Sequence, residues 1–282
     1  MRRRRHGLAS PDATGWLVWA ARFGYAACGF IYIAIGMVAA AVALGVGQEP
    51  TGSHGVMRFL ARQPFAPLLL ATLGIGLAGY AALNITGAIS DPERRGLSIV
   101  GLGLRAMDIL TGALYIALTF AVLGLLVGSS KRTDTARAVA EKLLELPFGV
   151  AILGLIGVSL IVGSVYLFVR ALRDEFGEML DKRSLSREAR AAIVLAARAG
   201  TAARGVVFAI CGALAISAAM SRSPQKIGDV DDALAVIREG AMGPLLLALM
   251  GAGFIAYGVY QLSKARYQRV VDSSRSRSAI RL

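Results

Sequence analysis

The sequence predicts an all-α, polytopic membrane protein: six transmembrane helices forming three parallel helical hairpin repeats in a pseudo-threefold arrangement. Three observations predict it. A pattern recurs three times: Arg22, Gly29 and Tyr32; Arg105, Gly112 and Tyr115; Arg198, Gly205 and Phe208, each glycine seven and each aromatic residue ten positions after its arginine. Each copy opens an apolar stretch of the length that crosses a hydrocarbon core, about 20 residues as a helix. Finally, 56% of the residues are hydrophobic and 17% are charged, whereas soluble domains carry about 25% charge.

The chain begins with a basic segment, 1–14, containing Arg2 to Arg5, which reads as disordered and cytoplasmic. The run from Trp16 to Leu44 is too long for a signal-peptide core and is interrupted by Arg22, so no cleavage is expected. Trp16 and Trp19 read as interfacial anchors. The first repeat, 15–92, carries spans 23–45 and 67–90. The second, 97–173, carries spans 106–128 and 148–169, and the third, 187–264, spans 203–221 and 243–262. A basic cytoplasmic tail, 265–282, follows, and the whole reads as one membrane domain.

The even spans repeat as well. Pro64-Phe65 and Pro147-Phe148 precede two of them. Gly74, Gly157 and Gly251 align, as do Gly76, Ser159 and Gly253, and Tyr80 matches Tyr257 where the middle copy has Gly163. The extra residues between the second and third copies belong to the linker around Asp174 to Arg190, within the connecting stretch 170–204. Small residues at these positions let helix backbones approach closely in lipid, where no hydrophobic drive joins helices. Between the spans of each repeat, Ser53 to Ala61, Thr135 to Leu146 and Asp231 to Arg238 have helical apolar spacing, and they predict three short amphipathic helices that cap the bundle.

Most of the 31 Lys and Arg residues fall on the side of the termini and inter-repeat linkers. Excess Lys and Arg stay cytoplasmic, so both termini are expected to face the cytoplasm. The net charge of +13 sits beside the spans, where each residue attracts anionic headgroups by about 1 kcal/mol. The expected partner is therefore the lipid bilayer. The basic ends interleave no aromatics as a base-stacking surface would, and no nucleic-acid partner is expected.

The enzyme classes find little support. Two cysteines, Cys28 and Cys211, lie within spans, and no CxxC or HExxH spacing predicts a metal site. The two histidines are His6 and His54. No nucleophile elbow, Walker loop or dinucleotide fingerprint occurs, so neither catalytic residues nor a cofactor are expected.

Ionisable groups inside apolar segments are the default functional candidates. Arg22, Arg105 and Arg198 occupy equivalent positions and, with Arg204, are candidates for an anion- or lipid-binding ring on the cytoplasmic side, because guanidinium forks match phosphate and carboxylate. The bland alternative is that they snorkel outward to lipid phosphate. Asp108, three residues after Arg105, reads as that arginine's partner or as a candidate coupling carboxylate. Tyr32, Tyr115, Phe208, Tyr80 and Tyr257, with Tyr166 and Tyr260, are candidates to line a shared interior. Asn84 and Gln261 read as hydrogen-bonding groups between helices.

The repeated opening Ala-Arg-x-Gly-x-x-Ala-x-Gly resembles a bacterial membrane family known as domain of unknown function 1206. The first copy runs from Ala21 to Gly29 and the third from Ala197 to Gly205. A second arginine, usual in that family before the last glycine, is kept only at Arg204; Cys28 and Thr111 stand there in the other copies. The middle copy departs further, with Met107 and Asp108 replacing Gly24 and Tyr25. The resemblance spans residues 15–265 and implies a fold and a location but no activity. The function expected from these readings is a non-enzymatic inner-membrane protein that binds an anionic lipid or other anion at the arginine ring. The alternative is a small transporter or channel along the pseudo-threefold axis.

Overall fold

The computed structural model describes residues 12–46, 52–90, 99–128, 135–173 and 186–267. The charged start of the chain, the linker stretches 91–98 and 174–185 and the basic tail beyond residue 267 lie outside the described residues. The described elements are helical: α1 (Asp12–Ala43), α2 (Ser53–Ala61), α3 (Ala66–Ser90), α4 (Ile99–Leu126), α5 (Thr135–Leu144), α6 (Gly149–Leu172), α7 (Arg187–Ser221), α8 (Val230–Glu239) and α9 (Gly243–Tyr267), with a 3-10 turn at Pro224–Lys226. Five of them, α1, α3, α6, α7 and α9, are long and apolar enough to cross a membrane. In α4 the apolar stretch among the described residues is Thr111–Leu126.

The outward faces carry large apolar side chains. Phe120 is 67% exposed, Leu155 70% and Leu249 61%. Soluble monomers rarely leave contiguous apolar surface of this kind open to water. Lipid is the solvent these faces match, and the protein is a multi-pass membrane protein.

Helix ends follow local chemistry. The stretch 170–204 reads as a linker in hydropathy, but α7 begins at Arg187, where the Ser186 hydroxyl accepts the Ala189 N–H at 3.2 Å. The Arg-rich first turns hide this part of the helix from any apolar window, while Ser186 and Glu188 supply the N-terminal signals. Helix α8 starts with a reciprocal capping box. The Asp229 carboxylate accepts the Asp231 N–H at 2.8 Å and the Asp232 N–H at 3.3 Å, while Asp232 accepts the Asp229 N–H at 3.0 Å.

The most extensive packing runs between repeats, not within the predicted hairpins. The second helix of each repeat lies on the first helix of the next: α3 on α4, α6 on α7, and α9 back on α1. One seam is built three times from equivalent residues. Gly29 faces Gly258 across α1 and α9, Gly112 faces the Ala81 carbonyl across α4 and α3, and the Ser164 hydroxyl donates to the Gly205 carbonyl at 2.7 Å across α6 and α7. Nearer the short helices, Gly36 meets Gly251 and Gly212 meets Gly157, while Gly74 faces Val122.

Packing within a repeat depends on a different pair. Gly24 lies against the Tyr80 backbone and Gly200 against that of Tyr257, with Gly76 on Ala27 and Gly253 on Ala203. In the middle repeat the first of these pairs is Met107 and Gly163, a combination that offers no glycine groove for a tyrosine. Among the described residues, α4 and α6 build no seam of this kind.

All three predicted short helices form, at one end of the bundle. Val56, Met57 and Leu60 of α2 and Ala233, Leu234 and Ile237 of α8 are buried in the main core with Leu70, Leu77, Leu247 and Phe254. Helix α5 packs on α6 through Ala140 and Leu153 in a smaller cluster. The Gly52 N–H donates to the Asp231 carboxylate, tying α2 to α8. Arg137 of α5 reaches Asp232 at 3.4 Å. That pair is partly exposed and contributes less than about 1 kcal/mol.

Burial, with the nearby charge of Asp229 second, raises the Asp231 carboxyl above its ordinary value of 3.8, and the Gly52 N–H, His54 and Arg58 oppose the rise. A carboxyl raised in the fold binds its proton more tightly folded than unfolded. Its stabilising contribution is therefore present at low pH and is lost as pH rises through the folded value. Asp231→Asn keeps an acceptor for Gly52 without the charge. It is expected to melt at or above wild type at neutral pH, with the gap closing toward pH ~4. Thermal melts in detergent across pH check this, and a constant gap contradicts it.

Candidate functional site

Away from the cap, the interior is a polar and aromatic cluster drawn from five helices. Helix α9 presents one stripe, Met250, Phe254, Tyr257, Gln261 and Lys264, at helical spacing. Four of the five residues are buried or nearly so, and Gln261 is 0% exposed. Facing this stripe are Cys28 and Tyr32 of α1, Tyr80 of α3, Tyr115 of α4 and Arg204 of α7.

The Gln261 amide donates to Cys28 Sγ at 3.3 Å and to the Tyr80 hydroxyl at 3.1 Å. Cys28 Sγ lies 3.2 Å from the Tyr115 hydroxyl. The rings of Tyr80 and Tyr115 meet edge to face at 4.6 Å, as do those of Tyr32 and Tyr257 at 4.7 Å. The Arg204 guanidinium donates to the Tyr257 hydroxyl at 2.5 Å. It stands over the rings of Tyr257 at 4.8 Å, Phe208 at 5.6 Å and Tyr32 at 5.8 Å. Such contacts contribute about 0.5–2 kcal/mol each. They do not replace a counter-charge.

Two polar atoms in this cluster are buried without a partner: Arg204 Nε and Gln261 Oε1. Among the described residues no carboxylate pairs with Arg204. One turn beyond Gln261, the Lys264 ammonium lies 4.1 Å from the Tyr25 ring centroid and 5.7 Å from that of Tyr260. The interior is thus cationic and donor-rich, and chemically it matches an anion.

The structure brings together Tyr32, Tyr80, Tyr115, Phe208, Tyr257 and Arg204 of the sequence candidates. The three equivalent arginines behave differently. Arg105 Nε donates to the Ala88 carbonyl at 2.6 Å, and its Nη2 to that of Ile89 at 3.4 Å. It therefore closes the C-terminal carbonyls of α3, which have no partners within their own helix and attract positive charge. Asp108, one turn on, is half-buried. Arg22 is exposed and Arg198 half-buried.

Sequence reasoning missed Lys264 and the central place of Gln261 and Cys28. The signal was the α9 stripe, in which residues 257, 261 and 264 share one helix face. Asn84, the counterpart of Gln261 in the first repeat, donates to the Tyr80 carbonyl of its own helix at 2.8 Å rather than between helices.

The profile of the family described as Domain of Unknown Function (DUF1206) matches this chain three times, at residues 23–91, 109–174 and 199–268. The chain is also 31% identical over 255 residues to the uncharacterized protein YxxB of Bacillus subtilis (strain 168), covering 90% of this chain and 92% of that one. No solved structure matches it. Each profile match covers most of one repeat, and together with the match to YxxB they assign the protein: it belongs to the DUF1206 family.

Proposed function

We propose that this is a non-enzymatic protein of the bacterial cytoplasmic membrane that binds one anionic group, a lipid headgroup or a free anion, at Arg204. The reading takes α4 as a sixth span and arranges the three repeats about a pseudo-threefold axis. The 28-residue length of α4 and the thrice-built glycine seam support this. The distribution of Lys and Arg supports cytoplasmic termini and linkers, with the cap on the outer side. Arg22 and Arg198, each about three turns inside its helix, draw anionic headgroups toward the bundle, while Arg105 ties α4 to α3.

One observation carries the reading. Arg204 stands against the rings of Tyr32, Phe208 and Tyr257, with Nε buried and unpartnered and, among the described residues, no carboxylate to balance it. A charge in hydrocarbon surroundings is costly unless compensated. A transport path along the axis would have to pass the buried Val56, Met57 and Leu234 of the cap, so the packing favours binding over conduction.

The test is a thermal melt of delipidated protein with and without inorganic phosphate. At about 100 times its dissociation constant, a bound anion adds about 2.7 kcal/mol to stability. Wild type is expected to show that upward shift and Arg204→Gln to lose it. Equal shifts in both proteins would remove Arg204 from the site.

A further inference from the structure

We propose that the anion held at Arg204 is a phosphate that brings its own hydrogen-bond donor: a protonated phosphate, or a phosphate headgroup bearing a hydroxyl. This rests on the anion reading above and names the ligand class. The Gln261 side chain is fully buried and spends its amide N–H groups on Cys28 and Tyr80, which leaves Oε1 as a buried acceptor with no donor. Across the cluster, Arg204 Nε is a buried donor with no acceptor.

The two orphans belong to one cluster of side chains. Tyr257, which bonds Arg204, lies one turn from Gln261 on the same face of α9. Arg204 also lies within Coulombic reach of Cys28 and Tyr80, the two groups that Gln261 bonds. Between them stand tyrosine hydroxyls, each able to donate or accept.

A ligand that satisfies both orphans must present an anionic oxygen to Arg204 and an O–H to Gln261. Hydrogen phosphate does so through P–O⁻ and P–OH. Sulfate and simple carboxylates are fully deprotonated at neutral pH and offer the Gln261 carbonyl only lone pairs. The pair also occurs once. Arg204 is replaced by Cys28 and Thr111 in the other repeats, and Gln261 by Asn84 and Leu167. The repeats supply three equivalent seams but a single site, where α1, α7 and α9 meet.

The experiment compares inorganic phosphate with sulfate on delipidated, full-length protein, reading the melting midpoint against anion concentration. Wild type is expected to respond to phosphate at about tenfold lower concentration than to sulfate, as for one acceptor left unsatisfied. Gln261→Met, of similar volume but without the acceptor, should bring that ratio to about one while phosphate still binds; Arg204→Gln should lose both responses. If the methionine variant does not fold, the wild-type ratio alone decides. Equal responses to the two anions in wild type would overturn the donor requirement and leave the anion site standing. No response to either anion, with no phosphate-bearing lipid retained on purification, would overturn the anion site itself. Nanodiscs separate the sources. If the ligand is a headgroup, phosphatidylglycerol should raise the midpoint over phosphatidylcholine and make added phosphate redundant; if it is free phosphate, the two lipids should give the same midpoint and the same response.

Discussion

Gly36→Leu is expected to cost on the order of 3 kcal/mol or more, enough to part α1 from α9. A Cβ at Gly36 would stand 2.5 Å from the Gly251 carbonyl oxygen and 2.8 Å from the Ile255 backbone nitrogen. Those are backbone atoms and cannot turn aside as a side chain can. Gly251 in turn faces the Gly36 carbonyl and the Ala40 backbone, so the strain has no slack on either helix. This seam joins the first repeat to the third, and its loss would open the bundle where Cys28 and Gln261 meet. Gly87 is the control, since nothing lies within 4 Å of an added Cβ there. Gly87→Ala should be neutral or stabilising by up to about 1 kcal/mol, the ordinary gain of alanine over glycine in a helix. Melts of the two variants side by side check the pair, and equal effects would contradict the seam.

The second large effect runs the other way. Arg204→Met is expected to raise stability by about 1–4 kcal/mol in anion-free, delipidated protein. Wild type there carries a half-buried guanidinium, its Nε buried, with no carboxylate partner among the described residues, whereas methionine fills the same space between Tyr32, Phe208 and Tyr257 with apolar atoms. Saturating anion should narrow or reverse the difference, because only wild type gains from it. A variant less stable than wild type under anion-free conditions would mean that the rings and the Tyr257 hydroxyl satisfy Arg204 by themselves.

Much of this fold is legible in the chain. The spacing from Arg22 to Gly29, repeated at Arg105 and Arg198, marks the first helix of each repeat, and the aligned Gly74, Gly157 and Gly251 mark the second. The acidic start at Asp231 marks the cap helix α8, because capping and helix-dipole chemistry are local. What spacing does not carry is choice of neighbour. A glycine stripe states that something comes close, not which helix comes. The first and third repeats do pack as hairpins, α1 on α3 and α7 on α9, but the more extensive seams run between repeats. The start of α7 was hidden because arginine-rich turns score as linker although Ser186 caps them.

The site was legible only in part. The aromatic positions recur, so the repeat alone singles out Tyr32, Tyr115 and Phe208. Arg204 stood out because it alone keeps the second arginine of the repeated motif. Gln261 reads as a hydrogen-bonding group between helices, and it bonds Cys28 and Tyr80; Lys264, near the end of an apolar helix, is turned toward Tyr25 only by the packing of α9 against α1. The recurring Arg105 drew attention by its symmetry, but its contacts are with the end of a neighbouring helix. In this chain the repeated residues supply the seams and the aromatic walls, and the unrepeated Arg204, Gln261 and Lys264 supply the polar groups among them.

Native mass spectrometry of protein released from gentle detergent tests the central claim most directly. Wild type should be compared with Arg204→Gln and with the triple Arg22, Arg105, Arg198→Gln variant. The account predicts a phosphate-bearing adduct on wild type, its loss from Arg204→Gln, and its retention at reduced occupancy on the triple variant. An adduct that survives Arg204→Gln but vanishes from an equally folded triple variant would contradict the account and place the anion at the helix ends.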